Sequence, residues 1–275
     1  DGTNGGLASN YTLTGGTHNF TVNRRVVGVS GTRLYDATTN AAASDLATHA
    51  NLVGSQTLSL SGTGTIASKN VGSNKTVSIG TLALADGSNG GLASNYTLTG
   101  GTHNFTVNRR VVGVSGTRLY DATTNAVASD LSTHANLVGS QTLTLSGTGT
   151  IASKNVGSNK TVSIGTLALG NGSNGGLAAN YTLTGGTHQL TVNQARISLT
   201  GSRQYDGTVN VRNSEVSLTG QQGGEDLTIS GTGSVASKNV GNGKSVTTTG
   251  LTLGNGQSGT PGLASNYTFS GGTQT

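Results

Sequence analysis

The sequence predicts an all-β chain of tandem elongated antiparallel β-sandwich (Ig-like) repeat domains, and three observations predict it. The segment NYTLTGG stands at Asn10, Asn95 and Asn180, a constant offset of 85 residues, and its first part returns at Asn266. Val, Leu and Ile alternate with Thr and Ser at a spacing of two, the period of a half-buried pleated strand rather than of a helix. Glycine, 46 residues of 275, clusters between these runs, where turns must fall. Repetition on this scale means a row of near-identical units, each the size of a small autonomous domain. A continuous β-solenoid is the alternative, since strands centred on Leu58, Val77 and Leu98 lie about 20 residues apart. The 85-residue period is no clean multiple of that spacing, which favours discrete domains.

Boundaries follow from the repeat. Residues 1–25 read as the end of an incomplete copy, 26–110 and 111–195 as full copies, and 196–275 as a third, truncated copy. Because Asp1 falls inside a repeat, the chain is expected to be a segment whose targeting and anchoring parts lie elsewhere. Each copy opens with VVGVSGTRLYD or its equivalent, a strand that puts Val27 and Val29 on one face. The third copy identifies that face as the buried one: Arg196 stands in place of Val111, whereas Ile197 and Leu199 stay apolar. Residues 41–55, rich in Ala, read as irregular with one strand at most. QTLSLSG then turns Leu58 and Leu60 inward, the GTG after it reads as a turn, and Val77, Ile79, Leu82 and Leu84 continue the alternation. The glycine-rich ADGSNGG is an exposed loop, and its third-copy counterpart holds the only proline, Pro261. NYTLTGGTHNFTVN closes the copy with Tyr96, Leu98, Phe105 and Val107 in a strand bent at Gly100-Gly101. The total is about six to eight short strands per copy. From Val107 to Val112 one copy runs into the next with no Pro-rich or Gly/Ser linker, so neighbours are expected to keep a narrow range of angles.

Composition narrows the function classes. The chain has no cysteine, which removes disulfides, thiolate metal sites and cysteine nucleophiles. Its net charge of +5 is spread thinly, with no basic run longer than Arg24-Arg25 and Arg109-Arg110, and aromatics are only 4%. A nucleic-acid surface needs clustered bases interleaved with aromatics, so specific nucleic-acid binding is not expected. No apolar run approaches the roughly 18 residues of a membrane span. GTGTIA resembles a phosphate loop only in its glycines, because no helix pattern follows to offer an N-terminus.

At GTRLYDATT, and more literally at GSRQYDGTVN with Tyr205, Asp206 and Gly207, the chain resembles the YDG repeats of large bacterial adhesins, including filamentous-haemagglutinin-like proteins secreted by a two-partner route. SGTGTIASKNVGSNKTVSI and SNYTLTGG resemble companion segments of that family, so the resemblance covers essentially the whole chain. Asp36 and Asp121 depart from it, being followed by Ala37 and Ala122 instead of glycine. The resemblance implies an extracellular place, on a bacterial cell surface or secreted, and a role in adhesion or biofilm formation. The absence of disulfides in such small extracellular domains points the same way. The expected function is a structural stalk that holds an adhesive region of the parent adhesin away from the cell. The alternative is a module binding exopolysaccharide or host surface glycans through exposed Tyr and Asn, with avidity from repetition.

Candidate residues each have a structural explanation and a chemical one. Tyr35 and Asp36, Tyr120 and Asp121, and Tyr205, Asp206 and Gly207 are expected to form an Asx-type turn whose ring caps the core. Calcium would need six to eight oxygens, and 10 acidic residues in the whole chain are a thin supply. Lys69, Lys154 and Lys238, with Asp45, Asp130 and Glu215 upstream, are candidates for the isopeptide cross-links of some adhesin stalks, which require all partners buried together. His18, His103 and His188, with His49 and His134, are expected to be solvent-facing polar residues, because the third copy has Gln274 at the first site and loses the second. The N-Y-T triplets at Asn10, Asn95, Asn180 and Asn266 are glycosylation sequons by pattern, but a Tyr-centred strand accounts for them. No cofactor, metal site or catalytic residue is expected.

Overall fold

The computed structural model describes residues 1–133 and 135–275, with His49 described by its backbone only; His134 and the side chain of His49 lie outside the described residues. The chain is all-β: the helices among the described residues are seven three-residue 3-10 turns. It divides into two compact units, one of residues 1–33 and 38–107, the other of residues 34–37 and 108–275. The second unit thus holds the second and third copies together with the Tyr-Asp turn of the first.

The second copy shows how the pattern folds. Ten short strands run from Arg110 to Asn193 among the described residues, more than the alternation alone predicted. Six make one sheet in the spatial order Asn125–Val127, Thr148–Ile151, Gly157–Ser163, His188–Asn193, Val114–Leu119 and Leu131–Thr133. The closing strand, His188–Asn193, lies at the centre of this sheet. It runs antiparallel to Gly157–Ser163 and parallel to the opening strand Val114–Leu119. The expectation of a wholly antiparallel sheet is corrected here. A parallel pair needs a long crossover, and the whole interior of the repeat, from Asp121 to Thr187, supplies it. Leu143–Ser146 pairs with Ala168–Asn171 as a separate ribbon. The first copy repeats this order, with His103–Asn108 between Gly72–Ser78 and Gly28–Leu34.

Burial follows the alternation. Val27, Val29, Val112, Val114, Ile197 and Leu199 are fully buried, whereas Val26 and Arg196 are exposed, as the substitution pattern required. Phe105, Val107, Leu190 and Val192 of the closing strands are equally buried. Burying one such side chain stabilises by about 1.5–3 kcal/mol, so the central strand carries a large share of each small core.

Two local expectations are corrected. The first part of the 41–55 span is regular, with Asn40–Ala42, a 3-10 turn at Ala43–Asp45, and Leu46–Ala50 giving two strands instead of one at most, while 51–55 holds no strand. Alanine is a weak strand former, yet Ala41 and Ala126 are fully buried within Asn40–Ala42 and Asn125–Val127. The GTG triplet is also only partly a turn. Gly62, at φ +82°, makes the bend, while Gly64 is buried within strand Thr63–Ile66, where a Cβ would lie 2.6 Å from Val77 Cγ1. In the third copy the corresponding stretch is a single strand, Leu227–Val235.

Two glycines separate close approach from backbone conformation. A Cβ on Gly116 would sit 1.7 Å from the Asp130 carbonyl oxygen across the sheet, whereas Gly185 has φ +82° with nothing within 4 Å. Gly116→Ala is expected to cost about 2–4 kcal/mol because backbone must move, and Gly185→Ala about 1 kcal/mol from its left-handed conformation alone. Urea midpoints of the two variants check the order, and equal losses would contradict it.

Candidate functional site at the joint between copies

The signature turn is built by its carboxylate. In the second copy the Thr123 N–H and hydroxyl donate to Asp121 Oδ1 at 2.9 and 3.0 Å, and the Arg118 guanidinium pairs with Oδ2. In the third copy the Thr208 N–H donates to Asp206 Oδ1 at 2.9 Å and Arg203 pairs with Oδ2 at 3.3 Å. The Thr208 backbone N–H, helped by its hydroxyl and Arg203, holds the Asp206 carboxyl below the usual aspartate range. The residue after the aspartate is left-handed in each copy: Ala37 at φ 65°, Ala122 at 62° and Gly207 at 79°. Glycine is dispensable there, but alanine adopts that conformation at a cost of about 1 kcal/mol.

The tyrosine before that aspartate does something the sequence did not indicate. It caps the core of the following copy, not of its own. Tyr120, 1% exposed, lies edge-on against Tyr267 of the third copy, ring centroids 5.4 Å apart at 79°. Tyr35 meets Tyr181 of the second copy in the same way, at 5.5 Å and 77°. Its position is set by the closing strand, whose last carbonyl, that of Asn193, accepts from the Tyr120 N–H at 2.7 Å.

Between each pair of rings lies one polar side chain. In the second copy it is Gln141, whose amide Nε2 donates to the Tyr35 hydroxyl at 3.1 Å while its Oε1 accepts from Tyr181 at 2.5 Å. In the third copy it is Glu225, 4% exposed. The Tyr120 hydroxyl at 2.6 Å and Lys154 Nζ at 2.5 Å both donate to Glu225 Oε1, and the Tyr267 hydroxyl donates to Oε2 at 2.7 Å. Burial alone would raise the Glu225 carboxyl, but the three donors outweigh it and hold it below the ordinary glutamate range. Burial and the hydrogen bond to Glu225 push the Tyr120 phenol up, and burial foremost raises Tyr267. Lys154, bonded to Glu225 and Tyr120, is raised too.

A second contact ties the same two copies. Asn266, fully buried, accepts from the Val156 N–H at 2.9 Å and donates to Asn155 Oδ1 at 3.0 Å. The SKN loop of the second copy therefore grips the third through Lys154, Asn155 and Val156. The N-Y-T asparagine acts as a bonding group at Asn266 and is buried at Asn180, while Asn10 and Asn95 are exposed. Arg110–Val111 and Ala195–Arg196 add short parallel pairings with the Tyr-Thr strands 181–182 and 267–268.

The remaining candidates fall as follows. Lys69 and Lys238 are exposed. The carboxylate beside Lys154 is Glu225, not Asp130, and Glu215 is engaged with Arg203 and with the Arg212 N–H. The histidine expectation is corrected at two positions: His103 and His188 are buried. Each ring Nε2 bonds the carbonyl of the residue five before it, Leu98 or Leu183, at 2.9 Å. Gln274 explains its own substitution, since its Nε2 donates to the equivalent Phe269 carbonyl at 3.1 Å and to Ile197 at 2.9 Å. His18 is exposed. Among the described residues no group of three His, Asp or Glu could hold a metal ion, and no helix is long and apolar enough to cross a membrane.

Fold and joint together define a tandem β-repeat protein whose signature Tyr-Asp turn is a coupling element. The YDG domain matches at residues 17–103, 106–188 and 187–275, and the chain belongs to that family. No protein of curated function and no solved structure matches it.

Removing the buried acid separates its charge from its hydrogen bonds. Glu225→Ala leaves two phenols and an ammonium without their acceptor and is expected to cost about 3 kcal/mol. Glu225→Gln, which restores the arrangement of Gln141, should cost less than half of that. The folded carboxyl titrates below its unfolded value, so its contribution is complete above about pH 4.5 and is lost as pH falls through the lower folded value. Glu225→Gln should therefore flatten the acid limb of the stability profile, as urea melts between pH 2 and 7 would show. An unchanged acid limb would contradict the assignment.

Proposed function

We propose that the chain is a spacer region of a secreted bacterial adhesin of filamentous-haemagglutinin-like type, in which discrete β-sandwich modules hold an adhesive region away from the cell surface. The observation that carries this reading is Tyr120, buried in the following copy and bonded to Glu225, in a chain with no linker between copies. A spacer transmits position only if its joints resist bending. Here a ring pair, an ion pair between half-exposed Lys154 and buried Glu225, and the Asn266 bonds all span one joint. Its Tyr120, Lys154, Asn155, Asn266 and Tyr267 belong to the motifs that mark the repeat, YD, SKN and NYT, while Glu225 lies outside them. In this reading the parent adhesin is the partner, and the segment is extracellular.

Glycan binding is the weaker reading. It relies on exposed tyrosine and asparagine, and five of the seven tyrosines, Tyr35, Tyr96, Tyr120, Tyr181 and Tyr267, are buried, leaving Tyr11 and Tyr205 exposed.

The absence of cysteine allows clean spin labelling at the exposed Thr144 and Ser230, one in each of the second and third copies. The distance distribution measured by pulsed electron paramagnetic resonance should be narrow, and Tyr120→Ala should broaden it at least twofold. A broad distribution in the unmodified joint, or saturable binding of the chain on a glycan array, would sink the spacer reading.

A further inference from the structure

The oxidisable side chains of this chain are few, and most of them meet at the joints. Cysteine, methionine and tryptophan are absent, which leaves the seven tyrosines as the side chains that most readily give up an electron. Four of them form the two buried ring pairs, Tyr35 with Tyr181 and Tyr120 with Tyr267. The two pairs differ in the group that their hydroxyls face.

A phenol that loses an electron becomes a strong acid, so its oxidation at neutral pH needs a base within hydrogen-bond reach to take the proton. The Tyr120–Tyr267 pair has that base. The Tyr120 hydroxyl donates to Glu225 Oε1 at 2.6 Å and the Tyr267 hydroxyl to Oε2 at 2.7 Å, so one carboxylate faces both phenols. Lys154, whose side chain is 40% exposed, donates to Oε1 at 2.5 Å and connects the buried acid to water. Between Tyr35 and Tyr181 the same place is filled by Gln141, whose amide accepts from one hydroxyl and donates to the other. An amide oxygen accepts a hydrogen bond but is too weak a base to keep the proton.

The carboxylate also sets the geometry. The two hydroxyls converge on the two oxygens of one group, which brings the ring carbons beside them, where a phenoxyl radical carries much of its spin, to the same side of the contact. The rings touch edge-on, with centroids 5.4 Å apart. Burial is no bar to oxidation, because an electron crosses a few ångströms of packed protein, and it shields a radical from other reactants.

We propose that Tyr120 and Tyr267 form an oxidative cross-link, a dityrosine that joins the second copy covalently to the third, with Glu225 as the proton acceptor. The co-reactant is a one-electron oxidant of haem-peroxide or high-valent metal-complex type, and two equivalents are consumed. In each oxidation one electron goes to the oxidant and the phenolic proton passes to Glu225. Lys154 sheds a proton to water as it takes that of the carboxyl, which restores the carboxylate for the second phenol. The two phenoxyl radicals then form a carbon–carbon bond between ortho positions, and each ortho hydrogen shifts to its oxygen. Two tyrosines thus give one dityrosine, two protons and two electrons. A chain without cysteine gains a covalent tie between copies, while Tyr35 and Tyr181, beside Gln141, stay unlinked. The inference needs only the joint and stands apart from the adhesin reading.

The test is illumination of the whole chain at low micromolar concentration with tris(bipyridyl)ruthenium and persulfate, a photogenerated one-electron oxidant, followed by tryptic mapping. Molecules linked to one another through the exposed Tyr11 and Tyr205 are first removed by size exclusion. Tyr120 lies in the peptide 119–154 and Tyr267 in 245–275, whereas Tyr35 and Tyr181 lie in 34–69 and 161–196. The monomer should lose two hydrogens in mass and gain dityrosine fluorescence. Peptide 119–154 joined to 245–275 should exceed 34–69 joined to 161–196 by about tenfold or more, a modest part of what a positioned base contributes. Tyr120→Phe should abolish the product, and Glu225→Gln, which keeps the ring pair in the manner of Gln141, should slow its formation by a similar factor. Failure to find 119–154 joined to 245–275, equal linkage at the Gln141 joint, or a rate unchanged by Glu225→Gln would each overturn the proposal.

Discussion

The first two copies depend on their last strand lying at the centre of the sheet. His188–Asn193 reaches that place after the rest of the repeat and pairs on both sides, so neither neighbour is complete without it. Two unpaired edges facing one another would expose both backbone donors and the buried faces of Leu190 and Val192. Hydrogen bonding and apolar burial therefore demand the same residues at once.

The same strand also governs the joint. Asn193 ends it, its carbonyl fixes the Tyr120 backbone, and two residues later Ala195–Arg196 begins the pairing of the next copy. Closing one sheet and aiming the tyrosine into its neighbour are thus a single event. Copies coupled in this way share a boundary that belongs to neither alone, which is why residues 34–37 group with the second unit and not with the copy whose sequence contains them.

The polar centre of the joint tolerates two chemistries because the geometry is kept. Gln141 donates to one phenol and accepts from the other, whereas Glu225 accepts from both and so carries a charge that must be matched. Lys154 matches it from a side chain still 40% exposed, which lets water screen part of the ammonium while the carboxylate stays buried. A buried acid with one partly solvated partner costs less to hold than a fully buried pair. The copies can thus differ in charge at this point without differing in fold.

The alternation and the repeat determined the strand class, the buried face of VVGVS, the exposed glycine loop and the Asp-centred turn, because each follows from local spacing and backbone preference. Substitutions between copies even marked the outward position of Arg196. What only the tertiary structure decided were matters of long-range partnership. The parallel pairing of first and last strands cannot be seen in a period of two. The burial of His103 and His188 arises because each ring bonds a carbonyl in its own bend. The polar group between the rings, Gln141 or Glu225, lies about 105 residues from its tyrosine. A short polar motif such as YD reads as a surface turn when taken alone. It becomes a buried coupling only where a second copy supplies the other ring, and contacts between copies leave no signature in the spacing within one.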